Sequence, residues 1–410
     1  MKRYWKLIVL VVVIVLTVGT FYIKQDSSIY PKMVLQTKSG NEALVDHIRL
    51  EAYYYATASW DDMVDITTKG AVYTGKQSFF KRLEDENDPK IAHLKQDYRS
   101  FLRGKIRNAE MFAENKNVVV YANVEPESYR YESTDFKLHT AILNKQDKQQ
   151  SSFSIPVNQD GKYSDIYVER VYLVDDQVKV LTQNMLAAGD TSDDTDMRVY
   201  SLDIQSGKMV DDETVVSGSD NSDAYEWLRV LSRENASNDE TKDILIVKEN
   251  NKVSPEDGEI TYTESNVFYY DLQTDEHAEV ALPKQLQQGT EVQSVHGTTL
   301  YFSKMKKNQL DIIAYDMKTK KITEKQTIKL PTSYQAEEMG SPLMKVKDDH
   351  AYIVSSEQMA QQDTSVMVVD LQSGKTVYEG TIAIKDNHDI TDYELYINDF
   401  LFEEETGDND

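Results

Sequence analysis

Seven histidines are the side chains best suited to move a proton near neutral pH: His47, His93, His139, His277, His296, His350 and His388. None stands in the H-E-x-x-H spacing that puts two imidazoles on one helix face, or in another close metal-binding pair. His296 and His350 fall in corresponding turns of two repeats, but spacing alone does not make a site of them. Carboxylates are the opposite case. With 70 Asp and Glu, acid pairs arise from number alone and nominate no glycosidase. Oxygen-rich runs at Asp190–Asp196, at Asp211-Asp212-Glu213 and at Ser219–Asp223 could gather around calcium, yet none has the D-x-D-x-D-G order of a calcium loop. They read as solvated loop acids. The absence of cysteine removes disulfides, thiol catalysis, thiolate zinc, Fe–S clusters and a lipid-modified cysteine together. No G-x-S-x-G, Walker A or G-x-G-x-x-G run occurs. No residue is therefore assigned a catalytic, cofactor-binding or metal-binding role, and the chain is expected not to be an enzyme.

Partners follow from charge. The 410 residues carry 45 Lys and Arg, for a net charge of −25, which repels nucleic acid phosphates. Hydrophobic residues make up 40%, with 26 Tyr, enough for a folded core. The basic residues Lys2, Arg3 and Lys6 precede an uncharged run from Leu7 to Ile23, flanked by Tyr4-Trp5 and Phe21-Tyr22. At about 1.5 Å per residue the run reaches roughly 25 Å, near the lower limit for crossing a bilayer. A cleaved signal peptide is the rival, but no A-x-A-like site follows the apolar run. The expectation is a single-pass anchor in the cell membrane, contacting lipid through residues 7–23. Its N-terminus is cytoplasmic and its acidic main domain extracytoplasmic.

These groups must be held by a scaffold. Residues 25–45 are polar and read as a spacer. Asp88-Pro89 is a helix start, followed by an apolar stripe of Ile91, Leu94, Tyr98, Phe101 and Leu102. From residue 108 onward the chain repeats. The runs Val199-Tyr200-Ser201-Leu202-Asp203, Phe268-Tyr269-Tyr270-Asp271, Ile313-Ala314-Tyr315-Asp316 and Met367-Val368-Val369-Asp370 each lead into a polar turn. Ala141-Ile142-Leu143-Asn144 is a degenerate copy. In each, an apolar strand ends on an Asp suited to accept turn backbone N–H groups. Before these runs lie hairpins across Glu114-Asn115-Lys116-Asn117, Asp175-Asp176-Gln177, His296-Gly297-Thr298-Thr299 and Lys347-Asp348-Asp349-His350. Each repeat is thus a four-stranded meander of about 45 to 60 residues, the size of a β-propeller blade.

On these turns the chain resembles bacterial membrane-anchored extracytoplasmic β-propeller-repeat proteins, loosely of the YVTN or PQQ-like kind. The resemblance covers roughly residues 110–385. Kelch Gly-Gly pairs are missing, Trp-Asp occurs once at Trp60-Asp61, and three tryptophans are too few for PQQ-type docking. The expected fold is all-β: a propeller of six or seven four-stranded blades, preceded by a transmembrane helix and a short helical insertion. The expected segments are 1–24 (cytoplasmic stub and anchor), 25–45 (spacer), 46–400 (propeller, with 46–108 in the ring or as a cap) and 401–410 (acidic tail).

The resulting expectation is a tethered interaction module whose partner is a membrane or cell-envelope protein, as on a Gram-positive surface. The alternative is a propeller hydrolase or lyase with residues on channel-mouth loops. A third reading is a passive envelope component.

Overall fold

The structure, a computed structural model, describes residues 30–57, 60–77, 88–126, 135–158, 161–187, 195–218, 224–231, 242–253, 260–331, 341–354, 357–358, 364–385 and 393–402. They form six antiparallel sheets, four with four strands and two with five, consistent with six propeller blades.

Three meanders follow one another in chain order. The first is β5 (Phe112–Glu114), β6 (Val118–Pro126), β7 (Phe136–Asn144) and β8 (Gln150–Val157). The second is β9 (Tyr163–Val174), β10 (Gln177–Leu186), β11 (Thr195–Asp203) and β12 (Met209–Val216). The third is β13 (Ala224–Leu231), β14 (Asp243–Val253), β15 (Ile260–Asp271) and β16 (His277–Glu279). A fourth meander runs through β17 (Glu291–His296), β18 (Thr299–Lys306), β19 (Gln309–Asp316) and β20 (Lys321–Lys329). The remaining two sheets join the chain's ends. In one, β1 (Met33–Gly40) pairs with β25 (Lys375–Ile384) and then β24 (Ser365–Asp370), β22 (His350–Val354) and β21 (Leu343–Lys347). In the other, β26 (Glu394–Phe402) pairs with β2 (Ile48–Thr57), followed by β3 (Trp60–Thr67) and β4 (Gly70–Tyr73), and a short β23 (Glu357–Gln358) adds to β26.

Two compact units result. One holds Met1–Glu84, Ser303–Ile312 and Lys325–Asp410, the other Asp85–Phe302 and Ile313–Glu324. In the first, Leu50, Tyr54, Val64, Ile66, Leu395, Ile397 and Phe400 form a buried cluster. In the second, the sheets β5–β8 and β9–β12 share a core that includes Val120, Leu138, Val171, Val180 and Tyr200. Period-two burial along β7 shows why these segments are strands: Phe136, Leu138, Thr140 and Ile142 are buried, while Lys137, His139 and Ala141 are half-buried.

The repeated turns form as their sequence implies. Each Asp closes the third strand of its sheet and accepts backbone N–H bonds: Asp203 from Ser206 at 2.7 Å, Asp271 from Thr274 at 2.9 Å, Asp316 from Thr319 at 2.6 Å and Asp370 from Ser373 at 2.6 Å. Four residues beyond the turn's first residue the backbone is left-handed, at Lys148, Gly207, Asp275, Lys320 and Gly374. Glycine meets this requirement best, which accounts for Gly at two of the five.

A helix, α1 (Pro89–Tyr98), supplies the predicted insertion. The Asp88 carboxylate caps it, accepting from the N–H groups of Lys90 and Ile91. Its stripe of Ile91 and Leu94, with Phe101 and Leu102 beyond, packs on Phe112, Val119 and Leu143.

Four expectations need amendment. Residues 33–40 are not spacer but strand β1, whose Met33, Val34 and Leu35 are buried. Asp211-Asp212-Glu213 lie on strand β12, not in a loop. Leu401 and Phe402, assigned to the tail, end β26. The single-pass topology in the cell membrane is corrected as well: among the described residues no helix is long and apolar enough to cross a membrane. The segment 7–23, on which that topology and its lipid contact rested, lies outside the described residues, as do Asp190–Asp194, Ser219–Asp223, His388 and residues 403–410.

Candidate functional site

A group of ionisable side chains from separate elements converges where β9 meets the segment leading into β5. Its centre is a bulge. Leu181 of β10 pairs with Arg170 and the next residue, Thr182, pairs with Val168, so Glu169 has no partner of its own. The sequence pattern forces this. Ile166 and Val168 are buried in one phase of the alternation, and Val171 and Leu173 in the other, with Glu169-Arg170 absorbing the slip. Bulges re-aim side chains and recur beside active sites.

Three elements bring groups to this point. Glu110 sits on a short 3-10 turn, Ala109–Met111, which the Asn108 side chain caps by accepting the Glu110 N–H at 3.0 Å. The Arg170 guanidinium donates to both Glu110 carboxylate oxygens, from Nη2 to Oε1 at 2.7 Å and from Nε to Oε2. This two-point fork fixes both groups. Lys90, in the first turn of α1, donates from Nζ to the Phe112 carbonyl at 2.6 Å and so ties the helix to β5.

Burial and mutual charge set the protonation states. Burial drives the Glu169 carboxyl above the usual Glu range, and the Glu110 charge adds to this, while Arg170 opposes it. Burial also lowers the Lys90 ammonium against the pull of Glu110. Tyr172, fully buried beside Arg170, is pushed up by desolvation and stays a phenol. Arg170 holds its charge against burial because Glu110 faces it. The result is two carboxylates with different surroundings: Glu169 is shifted toward its acid form and Glu110 is ion-paired. That division is what acid–base chemistry requires.

Histidines contribute nothing here. His93 on α1 lies 3.4 Å from a Glu114 oxygen, His277 lies 3.2 Å from Glu213, and the Nδ1 of His350 lies 2.6 Å from the Asp348 carbonyl oxygen. His296 is exposed at the end of β17, and His47 stacks on Phe402 with centroids 5.6 Å apart. His139 lines a separate shallow cleft with Lys105 and Tyr121. Among the described residues no group of three or more His, Asp or Glu is placed to hold a metal. The repeat aspartates are turn formers, as read. Sequence reasoning passed over Glu110, Glu169 and Arg170. The phase slip between Val168 and Val171 was the available signal.

No protein-family model matches the chain, and no curated protein sequence matches it. Solved structures similar to it include the dipeptidyl peptidase 4 of Porphyromonas gingivalis, at 13% identity and a TM-score of 0.36, covering 80% of this chain and 43% of that one. They also include an α-L-arabinofuranosidase from Fusarium graminearum (9% identity, TM-score 0.32, covering 87% of this chain and 98% of that one). A polysaccharide lyase is a third (10% identity, TM-score 0.30, covering 72% and 60%). The chain thus spans under half the length of the peptidase. At these identities no activity passes from any of them to this chain. All three are enzymes, so the expectation that the chain is not an enzyme draws no support from them. What stands is an all-β chain of six antiparallel sheets, consistent with six propeller blades.

Proposed function

We propose that this chain is a hydrolase of glycosidic bonds, with Glu169 as the proton donor. One observation carries the reading: a half-buried carboxyl, placed by a β-bulge and pushed toward its acid form, lies within the field of a second carboxylate that is ion-paired to Arg170. In the reaction, Glu169 gives its proton to the bridging oxygen as the bond to the anomeric carbon breaks. Glu110 takes a proton from the water that attacks that carbon. Arg170 orients Glu110 and keeps it from sharing the Glu169 proton. A phenol or imidazole is not needed for this division of labour.

The test is a panel of neutral polysaccharides incubated with the purified chain, reading new reducing ends. Wild type releases them from at least one polymer, and Glu169→Gln lowers the rate by about 10²–10⁴-fold. Equal rates in the two proteins, or no release from any polymer, overturn the proposal.

A further inference from the structure

We infer a second, non-catalytic site for a neutral sugar unit in the cleft that the end of β8 forms with β9, β11 and β12. The cleft encloses about 490 Å³, within the range of small-ligand sites. The choice of a sugar follows from the cleft's own chemistry, and its relation to a polymer substrate rests on the function proposed above.

The polar side of the cleft is built on Asp196, whose side chain is 2% exposed. Its Oδ2 accepts from Lys162 Nζ at 2.6 Å and from the Tyr163 hydroxyl at 2.8 Å, and its Oδ1 accepts the Gly218 N–H at 3.0 Å. Arg198 completes the network. It donates from Nη1 to the Tyr163 hydroxyl at 3.0 Å and to Thr214 Oγ1 at 2.5 Å, and from Nε to Asp212 Oδ1 at 3.1 Å. The Asn158 side chain bonds both the N–H and the carbonyl of Tyr163 at 2.8 Å, holding the entry to β9 in one geometry. Such a network is organised before any ligand arrives.

What remains on offer decides the ligand. Two cations, Lys162 and Arg198, face two carboxylates, Asp196 and Asp212, so the charges cancel. The Arg198 donors are largely engaged, which leaves no open fork for phosphate or an acidic sugar. The most accessible polar groups are the Lys162 ammonium and the Asp212 carboxylate, each with a side chain 44% exposed. One donates and the other accepts. The lining also includes the apolar residues Ile155, Pro156, Val157 and Met209. A neutral pyranose or furanose matches this pairing, with hydroxyls on its edge and C–H groups on its face. The cleft and Glu169 share strand β9. Tyr163 and Glu169 are six positions apart, roughly 20 Å along a strand, so the cleft is a distal hold for a chain whose other part reaches the bulge.

The test uses the full chain carrying Glu169→Gln, so that nothing is cleaved and an inactive wild type leaves the result standing. Cello-, xylo- and manno-hexaose are titrated calorimetrically, with oligogalacturonate and inorganic phosphate as charged probes. At least one neutral hexaose binds, and neither charged probe does. Asp212→Asn weakens binding about tenfold, the loss of one hydrogen bond from a charged group. Met209→Trp, which fills the cleft, abolishes binding while circular dichroism stays that of the folded chain. No binding by any neutral hexaose, binding that survives Met209→Trp, or equal binding of a charged probe overturns the inference.

Discussion

Glu169 shows how a single position can be poorly suited to folding yet suited to chemistry. Because burial raises its pKa above the ordinary value of 4.5, the folded chain binds this proton more tightly than the unfolded one. Its contribution to stability is therefore greatest at low pH and declines as pH rises from the unfolded value through the folded one. Glu169→Gln removes that decline. The variant should melt no lower than wild type at pH 7, while its turnover collapses. Chemical denaturation at pH 4 and pH 7 measures the sign. Glu110→Gln tests the coupling. With the Glu110 charge gone, the Glu169 carboxyl should titrate at lower pH, read by carbon NMR of labelled glutamate; an unchanged titration would mean that the two groups do not sense each other.

At the scale of elements, the repeated turns make the sharpest predictions. The side-chain hydroxyl and N–H of Ser206 lower Asp203, the Thr274 N–H lowers Asp271, the Thr298 hydroxyl lowers Asp316 and Ser373 lowers Asp370. A depressed carboxylate stabilises the fold above its unfolded pKa, and that gain is lost as pH falls through the folded one. Asp271→Ala should therefore lower the melting temperature at pH 7, with the deficit shrinking as pH falls through the depressed pKa of Asp271. The glycines at two of these turns are not equivalent. A Cβ on Gly207 would fall 2.1 Å from the Phe153 ring, whereas on Gly374 its nearest neighbour is the end of the Gln326 side chain at 3.4 Å. Both substitutions to Ala incur the left-handed penalty of about 1–2 kcal/mol. Gly207→Ala should cost clearly more, because the ring must move as well. These turns were legible in the sequence because Asp and Gly act there through local hydrogen bonds and a local φ. The Asp88 cap and the stripe of α1 were legible for the same reason. The bulge at Glu169 was not: it depends on where Arg170 and Val168 pair across the sheet, a register that no short window of sequence states.

At the scale of the whole molecule, the repeats foretold six or seven four-stranded units and the strand order within the four consecutive meanders, since each meander is built from neighbours in sequence; six sheets form. The pairing of β1 with β25 and of β26 with β2 joins residues more than 300 positions apart, and the polar look of residues 25–45 hid the first of these. The ends nonetheless bear structural weight. Leu395, Ile397 and Phe400 of β26 are fully buried. At about 1.5–3 kcal/mol each, their burial contributes roughly 5–9 kcal/mol, comparable to the stability of an entire domain. Removing residues 394–410 should therefore expose Leu50, Tyr54 and Ile66 and make residues 30–77 an early target of limited proteolysis. Resistance equal to that of the intact chain would show that β2 and β3 hold without their C-terminal neighbour.

The most direct test of the proposed chemistry is the release of reducing ends from neutral polysaccharides by wild type and Glu169→Gln, measured side by side across pH. The placement of Glu169 at the bulge, beside the Glu110–Arg170 pair, predicts turnover by wild type that falls on the alkaline side as Glu169 loses its proton, and a rate about 10²–10⁴-fold lower in the variant where Glu169 is protonated, the gap narrowing as pH rises. Turnover that is the same in both proteins, or absent from wild type on every polymer, would contradict it.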